Sequence, residues 1–113
     1  MGELRRSPRY VTTCHAHIDD VLEGDVILKN LSITGCCLEC SDNFDNLKPY
    51  EKYTIDIEPE KAAHIDEFYL EVECRWIRKK NHICEIGFQI VASPKGKSFQ
   101  SYVDYLTYHA SLA

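Results

Sequence analysis

The run FYLEVECRWIRKKNHICEIGFQIV, residues 68–91, decides the fold class of this chain. In its first ten residues Phe68, Leu70, Val72, Cys74 and Trp76 fall on one side of an extended backbone. Tyr69, Glu71, Glu73, Arg75 and Ile77 fall on the other. Successive side chains of a strand point to opposite faces, so a period of two with one apolar set reads as a half-buried strand. This phase puts Trp76 in the core beside Val72 and Cys74. The polar stretch Arg78-Lys79-Lys80-Asn81 supplies a turn, and residues 82–91 return as a second strand, making an antiparallel hairpin.

The same signals recur toward the N-terminus. Residues 53–58 alternate, with Tyr53, Ile55 and Ile57 opposite Thr54, Asp56 and Glu58. Residues 35–40, 25–31 and 10–19 are further β-like runs. Leu22-Glu23-Gly24-Asp25 is a turn between two of them, and polar residues 41–46 form a longer loop before Pro49. Helical spacing occurs only near the C-terminus, where Phe99, Tyr102, Val103 and Leu106 make a one-face stripe at i, i+3, i+4 and i+7. Ser93 before Pro94, or Ser98, can cap it. Six strands joined by short turns and followed by one amphipathic helix predict an all-β fold, a small antiparallel barrel with the helix packed on a mouth or side.

At 113 residues the chain has room for one domain. We read it as an arm over residues 1–10, a barrel over 11–92 and a helix over 94–112. With 44% hydrophobic and 27% charged residues it falls in the range of folded globular chains. A formal charge of −5 gives no field that would attract duplex nucleic acid or anionic lipid. No apolar run has the length of a membrane span, and the Met1 end lacks a secretory h-region, so we expect a cytoplasmic protein. In that compartment the six cysteines are expected to be reduced, buried fillers of the core.

Positive charge is concentrated at one end. The decapeptide MGELRRSPRY sums to +2 and the remaining 103 residues to −7. An arginine fork binds phosphate oxygens bidentately, or O6 and N7 of guanine. Arg5 and Arg9 lie four apart with Pro8 between them, so a stiffened arm can carry both toward one ligand. Taken alone, such a cluster reads as a solvated tail. A second constellation is NLSITG, residues 30–35. In extended backbone Asn30 and Ser32 face the same way, presenting an amide and a hydroxyl to one edge, and Gly35 suits close backbone approach. Taken alone, it reads as an ordinary strand connection.

The two together, RxxxR at Arg5 and Arg9 followed by NxSxxG at Asn30, Ser32 and Gly35, resemble the PilZ domain family, receptors for the bacterial second messenger cyclic di-GMP. The closing hairpin, with Trp76 on one strand and Ile86-Gly87-Phe88 on the other, is also similar to that family's. The resemblance implies a six-stranded Greek-key barrel with the arginine arm folded over a ligand on the barrel surface. Arg5 and Arg9 would bind phosphate and guanine, and Arg6 would touch phosphate. Asn30 would accept from guanine donors, Ser32 would add a hydroxyl contact, and Gly35 would leave room. Leu4 departs from the pattern: many members carry arginine there, which favours an intercalated ligand pair, so one bound ligand is implied here. The implied role is a non-enzymatic adaptor that changes its contacts with an unknown protein partner, in motility, attachment or virulence. It needs no cofactor.

Other readings rank below this one. A PilZ-like interaction module that binds no nucleotide is disfavoured by the intact Arg5, Arg9, Asn30, Ser32 and Gly35. A zinc site drawing on Cys14, His15 and His17 or on Cys36, Cys37 and Cys40 lacks a second knuckle, and the residues of Cys37-x-x-Cys40 point to opposite faces of a strand. No nucleophile and base occur at a recognisable spacing for an enzyme.

Overall fold

The computed structural model describes residues 10–11, 14–18, 26–40, 47–94 and 96–111. Seven strand segments follow in order: β1 (Tyr10–Val11), β2 (His15–His17), β3 (Val26–Leu31), β4 (Gly35–Cys40), β5 (Lys52–Glu58), β6 (Phe68–Lys80) and β7 (Ile83–Ala92). A 3-10 turn at Lys61–Ala63 precedes β6, and the helix α1 (Gly96–Ser111) follows β7. Both β1 and β2 pair with the same edge of β3, Tyr10 opposite Leu31 and His15 opposite Ile27, so they are two parts of one barrel strand. That gives six strands around the ring.

The ring runs β2, β5, β6, β7, β4, β3 and back to β2, every pairing antiparallel. Closure leaves no open sheet edge in that circuit. Sequential hairpins make most neighbours, but β4 and β5 are not adjacent, and the chain crosses between them as a Greek key requires. The β6–β7 hairpin is longer than its apolar pattern suggests. Its strands run to Lys80 and Ile83, and the two-residue turn is Asn81-His82, both at positive φ (51° and 68°). Such a turn matches the right-handed twist of the flanking strands.

The interior is filled by the expected alternating sets. Leu28, Leu31, Leu38, Ile55, Ile57, Leu70, Val72 and Ile86 are all at 0% exposure. The helix adds Phe99, Tyr102, Val103 and Leu106, its predicted stripe, all buried. Phe68 packs on Phe99 and Tyr102 with ring centroids 6.1 and 6.0 Å away, and the Tyr102 hydroxyl donates to Glu60 Oε1 at 2.7 Å. The helix also packs along β1. It begins at Gly96, while Pro94 lies in the preceding turn.

One expectation fails. The alternation of β6 holds through Cys74 and then breaks: Cys74 stands opposite Phe88 but Trp76 opposite Gly87, so Arg75 is an extra residue on β6. A bulge of this kind shifts the phase of every later side chain. Trp76 therefore leaves the core for the outer wall and is 38% exposed.

All six cysteines are buried, and none forms a disulfide. Five belong to the core cluster, whereas Cys37 stands outside it, between core residues Cys36 and Leu38. Among the described residues no three His, Cys, Asp or Glu side chains come together as a metal site would need. Burial pushes the Cys84 thiol up to about 11. Because the thiolate is the reactive form, Ellman's reagent should label the native chain far more slowly than the chain in denaturant. Comparable labelling rates in the two states would contradict the buried placement. Phe68→Ala should cost about 3–5 kcal/mol in chemical denaturation, since it empties the junction of barrel and helix. A loss below about 1 kcal/mol would mean that the helix does not depend on this contact.

Candidate functional site

The N-terminal strand segment lies where the second motif begins. Tyr10 is opposite Leu31 and Val11 opposite Asn30, so both lie beside the Asn30 motif. Arg5, Arg6 and Arg9 lie outside the described residues. Arg9 is the sequence neighbour of Tyr10, and Arg5 is five residues away, a span of at most about 18 Å of extended chain. Chain length alone thus permits these arginines to reach the β3–β4 turn.

That turn is organised by Ser32. Its side chain is fully buried, and its Oγ accepts the backbone N–H groups of Thr34 at 3.2 Å and Gly35 at 3.1 Å. The Gly35 carbonyl accepts the Ser32 N–H at 2.9 Å and lies 3.3 Å from its hydroxyl. A hydroxyl bonded to backbone two and three residues ahead is a local substitute for strand pairing. Ser32 lies just past the end of β3, and the strand alternation that would align it with Asn30 stops before it. Asn30 is half-buried and Ser32 is enclosed. The structure therefore does not present the two side chains as one edge. Gly35 is buried as the first residue of β4, opposite Gln89 of β7.

Strand β3 carries its own bulge. Leu28 is opposite Leu38 but Asn30 is opposite Cys37, making Lys29 the extra residue. The Lys29 ammonium pairs with Glu85 and lies 3.8 Å from Glu39. Hydrogen bonding to Glu85 raises the Lys29 pKa, and the same bond lowers that of Glu85. Glu85 also takes Arg78 at 3.4 Å. A half-exposed charge ladder thus crosses the wall from β3 to β6.

Next to the turn lies a groove of ≈ 300 Å³ lined by Thr34, Arg75, Trp76, Gly87, Phe88 and Gln89. The Ile90 N–H donates to the Thr34 carbonyl at 2.9 Å, tying the motif turn to β7. The Arg75 guanidinium donates to Gln89 Oε1 and lies 5.9 Å from the centre of the Tyr50 ring. Trp76 covers Gly87: a Cβ there would fall 2.6 Å from indole Cζ2 and closer still to Cε2 and Nε1. The sequence pattern singles out neither Arg75, Thr34 nor Gln89, and it places Trp76 in the core, whereas the structure brings all four to this groove. The one available signal was Gly87 inside an apolar strand, a common mark of close approach by another group.

The described residues thus form a small closed antiparallel barrel with a C-terminal helix, an N-terminal strand segment paired beside the NxSxxG turn and a groove next to it. The family model for the PilZ domain matches residues 3–107, and the chain belongs to the PilZ domain family, whose members are cyclic di-GMP-binding adaptors. No curated protein matches the chain. Among solved structures, the Bacillus subtilis inhibitor of motility, MotI/DgrA, is similar with a TM-score of 0.76 and 18% identity. The match covers 96% of this chain and 51% of that one, so this chain spans about half the length of that protein. At this identity the likeness is one of fold.

Ser32→Ala leaves the buried Gly35 N–H without its acceptor and should cost about 1–3 kcal/mol in urea denaturation. Ser32→Thr keeps the hydroxyl and tests whether the loss follows that group. Unchanged stability of Ser32→Ala would remove the turn-organising role.

Proposed function

We propose that this chain is a cyclic di-GMP receptor and adaptor, acting in the cytoplasm without catalysis. In this reading one ligand molecule lies on the barrel wall at the β3–β4 turn. Arg5 and Arg9 bind its phosphates and guanine edge, with Arg6 adding a phosphate contact. Asn30 accepts from guanine N–H donors. Gly35 leaves space, and Ser32 contributes chiefly by holding the turn in shape, because its hydroxyl is already engaged. The observation that carries this reading is the pairing of Tyr10 and Val11 with Leu31 and Asn30, next to an RxxxR sequence in a PilZ-family chain.

The energetics favour a switch over a permanently closed site. Ordering about five arm residues costs roughly 5–10 kcal/mol, while charge-assisted hydrogen bonds contribute ~1.5–3 kcal/mol each. Three or four such bonds plus base stacking roughly break even with that cost, so the expected near-micromolar affinity requires that Pro8 restrict the arm before the ligand arrives. The closed arm then changes the surface that a partner protein meets. The helix packed along β1 stands next to that change and is a natural route for it. Motility, attachment and virulence are the outputs open to such an adaptor.

Isothermal titration of the full chain with cyclic di-GMP tests the proposal, and the stoichiometry should be near one ligand per chain because Leu4 replaces the additional arginine. Arg9→Ala should abolish measurable binding. Arg5→Lys should weaken it roughly 10-fold or more, because a point charge does not reproduce the bidentate fork. Affinity equal to the parent's in both variants would sink the site, and absence of binding by the parent would favour an interaction module without nucleotide.

A further inference from the structure

We propose that the edge of β6 beyond Cys74 is a docking strand, onto which an extended acidic peptide of a partner protein adds as one more strand of the sheet. This surface does not depend on nucleotide binding.

The edge arises because β6 outruns its neighbour. Strand β6 reaches Lys80, whereas β5 begins at Lys52, opposite Glu73. The last bonds on that side are made at Cys74, whose N–H donates to the Glu51 carbonyl at 2.9 Å and whose carbonyl accepts the Tyr50 N–H at 2.6 Å. The chain before Glu51 turns there, with Tyr50 at a φ of 69° and the Glu51 N–H donating to the Lys48 carbonyl. Among the described residues nothing pairs with residues 75–80 on this side. The hairpin tip thus extends past the closed circuit.

Register identifies the backbone groups left over. In an antiparallel ladder, consecutive residues direct their N–H and C=O groups to opposite edges. On β7 the Ile90 N–H donates to the Thr34 carbonyl, toward β4, so by alternation Ile86 and Cys84 also face β4 while Glu85 and Ile83 face β6. Arg78 and Lys80, opposite Glu85 and Ile83, therefore bond to β7. Ile77 and Lys79, opposite Ile86 and Cys84, direct their groups to the other edge. Backbone donors and acceptors in line on an exposed strand are what strand addition uses.

Charge selects the occupant. Residues 75–84 contain Arg75, Arg78, Lys79 and Lys80 and no carboxylate, in a chain of net charge −5. Arg78, Lys79 and Lys80 are exposed. Glu85 lies 3.4 Å from Arg78, but among the described residues Lys80 has no ion pair. Lysine on an edge repels a second copy of the same edge, and it favours an acidic strand. A polyphosphate would meet the cations but leave the Ile77 and Lys79 carbonyls facing anionic oxygens. Arg78 and Lys80 share one face of β6, and Ile77, half-buried against the core, lies on the other. The matching peptide therefore alternates acidic and apolar residues.

The probe is the fluorescein-labelled peptide acetyl-EVEVEVE-amide, titrated into the full chain without nucleotide and followed by anisotropy. Binding should saturate and weaken at high salt. By amide hydrogen exchange, Ile77 and Lys79 should exchange fast in the free chain and slowly with peptide bound, while Arg78 and Lys80 stay protected in both. Lys79→Pro removes an edge donor but no bond to β7, so it should keep the parent's circular dichroism and weaken binding about 10-fold or more. The same peptide N-methylated at alternate residues keeps its charge and should not bind, a control that needs no variant. Absence of saturable binding, parental affinity in Lys79→Pro, equal binding of the N-methylated peptide, or slow exchange of Ile77 and Lys79 in the free chain would each overturn the docking strand.

Discussion

Strand β3 is hydrogen-bonded on both edges, to β1 and β2 on one side and to β4 on the other, and this double pairing closes the barrel. Backbone donors and acceptors of a buried strand need partners, and a ring supplies them without leaving an edge exposed. The apolar side chains then follow. Leu28 and Leu31 are fully enclosed within the closed ring. The same closure decides where the N-terminus goes. The first strand has only the gap between β3 and β5 to occupy, so Tyr10 and Val11 are delivered to the Asn30 motif. The site is thus a product of the topology that completes the core.

Of the three register irregularities among the described strands, two re-aim charged or aromatic side chains on this wall without breaking it. Lys29 and Arg75 each add one residue to a strand and change which side chains face outward. At Lys29 the result is a cation held by Glu85 and Glu39 beside the motif. At Arg75 the result is larger, since a tryptophan is exchanged from the interior to the surface. The partner strand accommodates it only because residue 87 is glycine. Bulges are common next to functional sites because they re-aim a side chain while the ladder continues on either side.

Much of this was legible beforehand for a simple reason. The runs at 53–58 and 68–74 have a period of two, and Phe99, Tyr102, Val103 and Leu106 have the period of a helix. Local backbone geometry alone relates those patterns to buried faces. The arginine and NxSxxG motifs were visible as residue types at fixed spacing. Trp76 was misplaced because an inserted residue leaves the order of residue types unchanged while inverting everything after it. Ser32 was read as an outward hydroxyl because alternation was extended one residue beyond the strand's end. Its hydroxyl belongs to the turn, where the free N–H groups of Thr34 and Gly35 needed an acceptor.

The residues by themselves therefore determined most of the strand and helix content and the apolar faces of residues 53–58, 68–74 and 99–106, which depend on neighbours within a few positions, and they carried the family through two motifs at fixed spacing. The tertiary structure alone decided that β3 lies between β1 and β4, that residues 11, 30, 37, 87 and 76 form one row, and that the indole rests on Gly87. Those relations depend on the register of strands distant in sequence. Register is selected by how the whole ring closes over its core, and no local period encodes it.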